Sequence, residues 1–179
     1  MSITTLNSTL VYENPWLAVR EDQVEYADGS RGTQSVVDRP DFALVLPAER
    51  DGFHLVEQYR YATGLRSWEF PSGSWPPGSA GSVEEMAAAE LAEETGHTAR
   101  HWHRLGGLHV ANGTTGQVVH VFLATDLTAG QPRREVAEQD MRAQWFPRAE
   151  VERMLRDGTI TDAPSLAAYL LLTLKVPTV

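Results

Sequence analysis

The chain has 179 residues, 42% of them hydrophobic, with 15 Lys and Arg against 24 Asp and Glu, a formal net charge of -9 and no cysteine. This length and apolar content suit one packed core, and the acidic balance excludes a nucleic-acid surface, which needs a basic stripe. Without cysteine there are no disulfides and no thiolate ligands, so any metal must be held by oxygen or imidazole.

No stretch approaches the run of about 18 apolar residues that a membrane span requires. The opening "MSITTLNSTLVYENP" also lacks the basic start and apolar run of a signal peptide, so the expectation is a cytoplasmic protein with no membrane partner. Residues 9–39 read as short strands, with alternation around Trp16–Val19, Val24–Tyr26 and Ser35–Val37 and a hairpin turn at "DGSRG", residues 28–32. Two further strands are predicted at 42–48, "FALVLPA", and 53–60, "FHLVEQYR", joined by the charged turn "ERDG". The first is almost wholly apolar, as a strand buried on both faces would be.

A Gly/Pro/Ser-rich loop at 71–81 then leads into Ser82 and Glu85, whose spacing is that of a capping box. This predicts a helix running to Thr95 and stopped by Gly96. Strands follow at 104–110 and 117–124, then the polar loop "AGQPRREVAEQD", and then the strand "MRAQWFP". A helix is predicted over 148–157, and another opens at "DAPSLAAYLLLTLK", with Asp162 as cap and Pro164 in the first turn. Strands on both sides of a central helix, with a last helix closing the chain, indicate a mixed α/β or α+β sandwich. His101 and His103 read as surface positions, and Trp145 and Phe146 as core at a strand end.

The central helix carries the chemistry. At about 100° per residue, Glu90 and Glu94 fall on the side of Val83, Ala87 and Leu91, opposite Glu84 and Ala88, with Glu93 at the border. Partly buried carboxylates repel one another, and there is no Lys or Arg between residues 67 and 99 to neutralise them. A hard divalent cation such as Mg²⁺ would do so, because it accepts carboxylate oxygens and keeps sites for water and phosphate. The competing reading is a solvated acidic face, which binds no metal.

The stretch 71–97, "PSGSWPPGSAGSVEEMAAAELAEETGH", resembles the Nudix box: Gly, five residues, Glu, seven residues, then Arg-Glu-apolar-x-Glu-Glu-x-Gly-apolar. Gly73 fits the first glycine, Gly78 a frequent second one, and Glu90, Leu91, Glu93, Glu94 and Gly96 fit its end. Outside the box, "VYENPWLAV", "DGSRGTQSVVDRPDFALVLP", "LVEQYRYATG", "WEFPSG", "HVFLATDL" and "GTITDAPSLAAYLLL" are similar to segments of the ADP-ribose pyrophosphatase branch of that family. The box departs from the pattern in three places. Its first Glu falls on Ser79 counting forward from Gly73 and on Gly81 counting back from Glu90, its Arg is Ala89, and its last apolar position is His97.

The resemblance implies an α/β/α sandwich around a mixed sheet at 41–179, preceded by an N-terminal antiparallel β segment at 1–40 that helps form a homodimer. It implies metal-dependent hydrolysis of the pyrophosphate bond of ADP-ribose or a related nucleoside diphosphate derivative, with Mg²⁺ as cofactor and Mn²⁺ as the alternative. Glu90, Glu93, Glu94 and the carbonyl of Ser72 are the implied metal ligands. Arg60 is the implied pyrophosphate contact, Arg39 and Glu69 lie near the nucleotide or dimer contact, and Trp16 is placed to stack on a base. Gln117 and Gln139 stand where relatives often carry acids, so Glu138, with Asp140 next and Glu94 on the helix, supplies the implied catalytic carboxylates. The replaced Glu and Arg leave one alternative, a catalytically weakened nucleotide-binding or regulatory protein on the same scaffold.

Overall fold

The computed structural model describes residues 3–134 and 136–176. In chain order the elements are β1 (Thr4–Asn14), β2 (Leu17–Glu25), β3 (Arg31–Asp38), β4 (Phe42–Pro47), β5 (Gly52–Arg60), β6 (Leu65–Glu69) and β7 (Ser72–Gly73). Then come α1 (Val83–Glu90), a π-helical turn (Leu91–Thr95), β8 (His97–His109), β9 (Val118–Ala129), a 3₁₀ turn (Val136–Glu138), β10 (Arg142–Pro147), α2 (Arg148–Asp157) and α3 (Ala163–Lys175). They form an antiparallel sheet β1-β2-β3, a second sheet β10-β5-β6, and a four-stranded sheet β7-β4-β9-β8 in which β4 and β9 run parallel. This is the mixed α/β architecture expected.

The strand β4 shows why the layers stack as they do. Successive side chains of a strand point to opposite faces. Ala43 and Val45 pack with Phe122, Ala124, the α1 residues Met86 and Ala87, and Leu91 of the π turn, while Leu44 and Leu46 pack with Phe53, Leu55, Phe70, Val151 of α2 and Leu172 of α3. Both faces are therefore covered, and the apolar run needed no polar alternation. Each fully buried Leu or Phe here stabilises the fold by roughly 1.5–3 kcal/mol.

Several boundaries differ from the sequence reading. The strand predicted at 104–110 begins at His97, directly after Gly96, and β9 continues to Ala129. The strands β6 and β7 had no periodic signal: β6 is five residues long with a mostly exposed start, and β7 pairs through only two residues, Gly73 with Ala43 and Ser72 with Leu44. The strand β1 is exposed along almost its whole length, so it carries no alternation to read. His101 and His103 are exposed, and Trp145 and Phe146 are half-buried at the end of β10, with Phe146 against the core.

The acidic helix also ends differently. It is α-helical only to Glu90, after which the ladder widens into the π turn. Thr95 Oγ1 donates to the carbonyl of Leu91 at 2.6 Å, which takes that acceptor into a side-chain bond. Gly96 then closes the turn in the left-handed region, at φ 77°. The helix start matches its signal: Ser82 accepts from the Glu85 N–H at 3.1 Å and the Glu85 carboxylate accepts from the Ser82 N–H at 2.8 Å.

Candidate active site

A cavity of about 580 Å³ opens where the end of the acidic helix, the β6–β7 segment and the N-terminal sheet meet. The segment Phe70–Gly73 is fixed from two sides. Phe70 donates its N–H to the fully buried Ser165 Oγ of α3 at 3.0 Å, and the Pro71 carbonyl accepts from Val45 N at 2.9 Å. The N-terminal sheet is tied to the same region, since Val37 N donates to Thr114 O at 2.8 Å and Gln117 Nε2 to Pro40 O at 2.5 Å. That connection brings Trp16 and Arg39 to the cavity wall, Trp16 with 62% of its surface exposed.

The acidic wall is built by Glu90, Glu93 and Glu138, which line the cavity, with Glu94 directly behind them. Glu94 has no exposed surface. Its Oε2 accepts the Ser72 N–H at 3.1 Å, and its Oε1 is buried with no hydrogen-bond partner among the described residues. Burial, followed by repulsion from Glu90 and Glu138, pushes its carboxyl well above the ordinary value, against the pull of the Ser72 N–H. Glu90 lies against the backbone at Gly73, where a Cβ would stand 2.4 Å from its carboxylate, so only glycine admits that approach.

Glu69, which also lines the cavity, is 1% exposed and takes two bonds from Arg60, Nε to Oε1 at 3.0 Å and Nη2 to Oε2 at 2.5 Å. Burial raises the Glu69 carboxyl and the Arg60 guanidinium opposes that shift. The Arg60 side chain keeps 44% of its surface exposed and also lines the cavity.

Eight of the residues expected at a site share this cavity: Trp16, Arg39, Arg60, Glu69, Ser72, Glu90, Glu93 and Glu138, with Glu94 immediately behind Ser72. Asp140 is placed elsewhere. It is held by Arg66 of β6, whose Nη1 reaches Asp140 Oδ2 at 2.6 Å and whose Nη2 reaches the Asp140 carbonyl at 3.1 Å, so it braces the loop and does not line the cavity.

The structure adds Trp75 and Asp162, which the sequence reading did not nominate. Asp162 accepts from Ser165 N at 2.9 Å as the cap of α3 and at the same time lines the cavity. The signal for Trp75 was a lone aromatic in a Gly/Pro loop. Its ring crosses Gly81, where a Cβ would stand 2.7 Å from the indole Cζ2, so the position to which the box's first Glu counts back is covered by an aromatic ring.

The donor set fits a hard cation. Every side chain of the acidic wall offers carboxylate oxygen, and one of those oxygens is buried without a partner among the described residues. Among the described residues no three Asp, Glu or His side chains stand together as a complete ligand set. A cation here would complete its shell with water and substrate oxygen.

Residues 3–37 match the nucleoside diphosphate sugar hydrolase N-terminal domain, and residues 38–169 match the NUDIX domain. The chain is 34% identical over 169 residues to the ADP-ribose pyrophosphatase of Mycobacterium tuberculosis (strain ATCC 25618 / H37Rv), covering 93% of this chain and 81% of that protein. It is 28% identical over 169 residues to the CMP-5'-(N-acetyl-N-hydroxy-3-aminopropyl)phosphonate hydrolase of Streptomyces rubellomurinus (strain ATCC 31215), covering 92% and 80%. In three dimensions it superposes on a crystal structure of an ADP compounds hydrolase with a TM-score of 0.86 at 23% identity, covering 99% of this chain and 95% of that one.

Proposed function

The chain belongs to the NUDIX family, and from that premise we propose that it is a pyrophosphohydrolase cleaving ADP-ribose or a related nucleoside diphosphate derivative with the help of a divalent cation. The observation that carries this reading is Glu94, a carboxylate sealed inside the protein beside two others with one oxygen unpartnered among the described residues. An unpaired buried charge is costly, and a cation removes that cost.

Glu90, Glu93 and Glu94, with the Ser72 carbonyl, would hold Mg²⁺ or Mn²⁺, which when bound would neutralise phosphate oxygens and make a bound water more acidic. Arg60 meets the pyrophosphate and is held in place by Glu69, so its planar fork is oriented before substrate arrives. Arg39 adds positive charge on the same side, and Trp16 offers an exposed ring to the base. Glu138 lines the cavity close enough to the helix carboxylates to repel Glu94, and would take the proton of the water that attacks phosphorus. The P–O–P bond breaks and the two phosphates leave as monoesters, from ADP-ribose AMP and ribose 5-phosphate.

The exposed edge strand β1, with Leu6, Leu10, Val11 and Tyr12 at the surface, supports pairing of two copies into a homodimer. Among the described residues no helix is long and apolar enough to cross a membrane.

A second reading, a nucleotide-binding protein with weakened chemistry, is favoured by the neutral wall of Trp75 over Gly81 and by Ala89 in place of an arginine. Incubation of the purified protein with ADP-ribose and Mg²⁺ decides between them. The hydrolase reading expects AMP and ribose 5-phosphate, formed in proportion to enzyme and abolished by a chelator. Thermal stabilisation by ADP-ribose with no product from any nucleoside diphosphate derivative would overturn it.

A further inference from the structure

The loop between β9 and β10 carries Glu138, and it meets the end of the acidic helix through a set of contacts that none of the site residues explains. The chain passes so close to Gly96 that a Cβ there would stand 2.7 Å from Pro132 N and 2.8 Å from the Gly130 carbonyl. One residue further, Arg133 N donates to the Glu93 carbonyl at 3.0 Å. Then Arg134, half-buried, donates Nε to the Glu94 carbonyl at 3.2 Å and Nη1 to the Met141 carbonyl at 2.5 Å.

Glu94 closes the helix side of the site, and Met141 closes the loop, with its own N–H bonded to the Glu138 carbonyl at 2.9 Å and its side chain buried. One guanidinium therefore ties together the helix end and the loop that carry the acidic wall. We propose that Arg134 is a positioning residue that fixes the separation between Glu138 and the helix carboxylates by bridging the two backbone segments that carry them. The carbonyls at a helix end are the acceptors that its own ladder leaves open, so a cation donor there is well placed. Arginine is needed because its rigid fork can serve two carbonyls at once, whereas a lysine ammonium on a flexible stem serves one reliably. Arg66 also holds the loop at Asp140, so the loop keeps a second anchor when Arg134 is replaced. What depends on Arg134 is the separation between Glu138 and the helix carboxylates.

The role of Glu138 in this inference rests on the hydrolase reading above, while the bridge itself does not. The experiment pairs kinetics with amide hydrogen exchange on the full chain, using Arg134→Ala, Arg134→Lys and each combined with Glu138→Gln. Loss of a supporting contact of this kind lowers activity by about 10–100-fold. The expected result is that fall in kcat for Arg134→Ala with KM changed by less than about twofold, and a smaller fall for Arg134→Lys. In the Glu138→Gln background the same substitution should have almost no further effect, because residues acting through one another are not additive. Exchange should quicken together in residues 91–96 and 130–141 of Arg134→Ala and stay unchanged in β4. Independent, fully additive losses with Glu138→Gln, or unchanged exchange in the two segments, would overturn the proposal. Should the wild-type protein hydrolyse no nucleoside diphosphate derivative, the functional reading fails, and exchange alone decides the bridge. If Arg134→Ala does not fold, the Arg134→Lys pair carries both measurements.

Discussion

Glu69 at the end of β6 lines the cavity and Glu94 in the π-helical turn stands behind Ser72, and both are almost fully withdrawn from solvent, at 1% and 0% exposure. Glu69 is answered within the protein by two bonds from Arg60. Glu94 is answered by one backbone N–H and surrounded by further carboxylates. The difference separates two kinds of buried carboxylate: one is neutralised inside the protein by its own arginine, and one set among other acids has a raised proton affinity of the kind that gathers at functional sites.

Replacing each carboxylate should separate the two kinds. Glu94→Gln is expected to have the largest effect, a fall of about 10²–10³ in kcat, the scale for removing one electrostatic stabiliser. In the presence of a chelator it should stabilise the protein at alkaline pH. The sign follows from the raised carboxyl: the folded state binds the proton more tightly than the unfolded chain. Metal-free stability is therefore full below the ordinary value of 4.5 and falls as pH rises above it toward the raised one. Thermal unfolding with chelator across pH 5 to 9 should show that decline in the wild type and its loss in Glu94→Gln, at about 2–4 °C per kcal/mol. A wild-type melting temperature flat across this range would show that Glu94 is not the buried charge described.

Glu69→Gln should instead cost stability whether or not metal is present. Breaking a buried pair costs about 3–5 kcal/mol, and because Arg60 keeps 44% of its surface in water, about 1–3 kcal/mol is expected here. Calorimetry with and without Mg²⁺ checks this, and a metal-dependent loss would erase the contrast between the two carboxylates. The smallest effect belongs to Gly73→Ala, whose new methyl would displace the Glu90 carboxylate. Turnover should fall about tenfold, within the range for an ångström-scale misplacement, with the melting temperature nearly unchanged. Unaltered kinetics would mean that the Glu90 carboxylate need not lie against Gly73.

The helix part of the candidate site was legible because Glu90, Glu93 and Glu94 sit in one short stretch with helical spacing. The capping box at Ser82 and Glu85, the stop at Gly96 and the inward side of Glu90 and Glu94 depend on neighbours within a few residues, and the structure keeps all of them. The π turn was not legible, because a widened ladder is set by the Thr95 bond to Leu91 and by packing, not by period. The place of Asp140 was not legible for a similar reason. Its proximity to Glu138 in sequence says nothing of Arg66, which lies 74 residues away and turns it outward.

By itself the sequence determined the mixed α/β class, the doubly buried strand β4 and the acidic helix, since each follows from local periodicity and capping chemistry. Tertiary structure alone decided that Arg60 meets Glu69, that Trp75 covers Gly81 and that Arg134 bridges Glu94 to Met141. Those contacts join segments whose approach is set by the packing of separate layers, and no repeat or spacing along the chain encodes which side chain will stand at the junction.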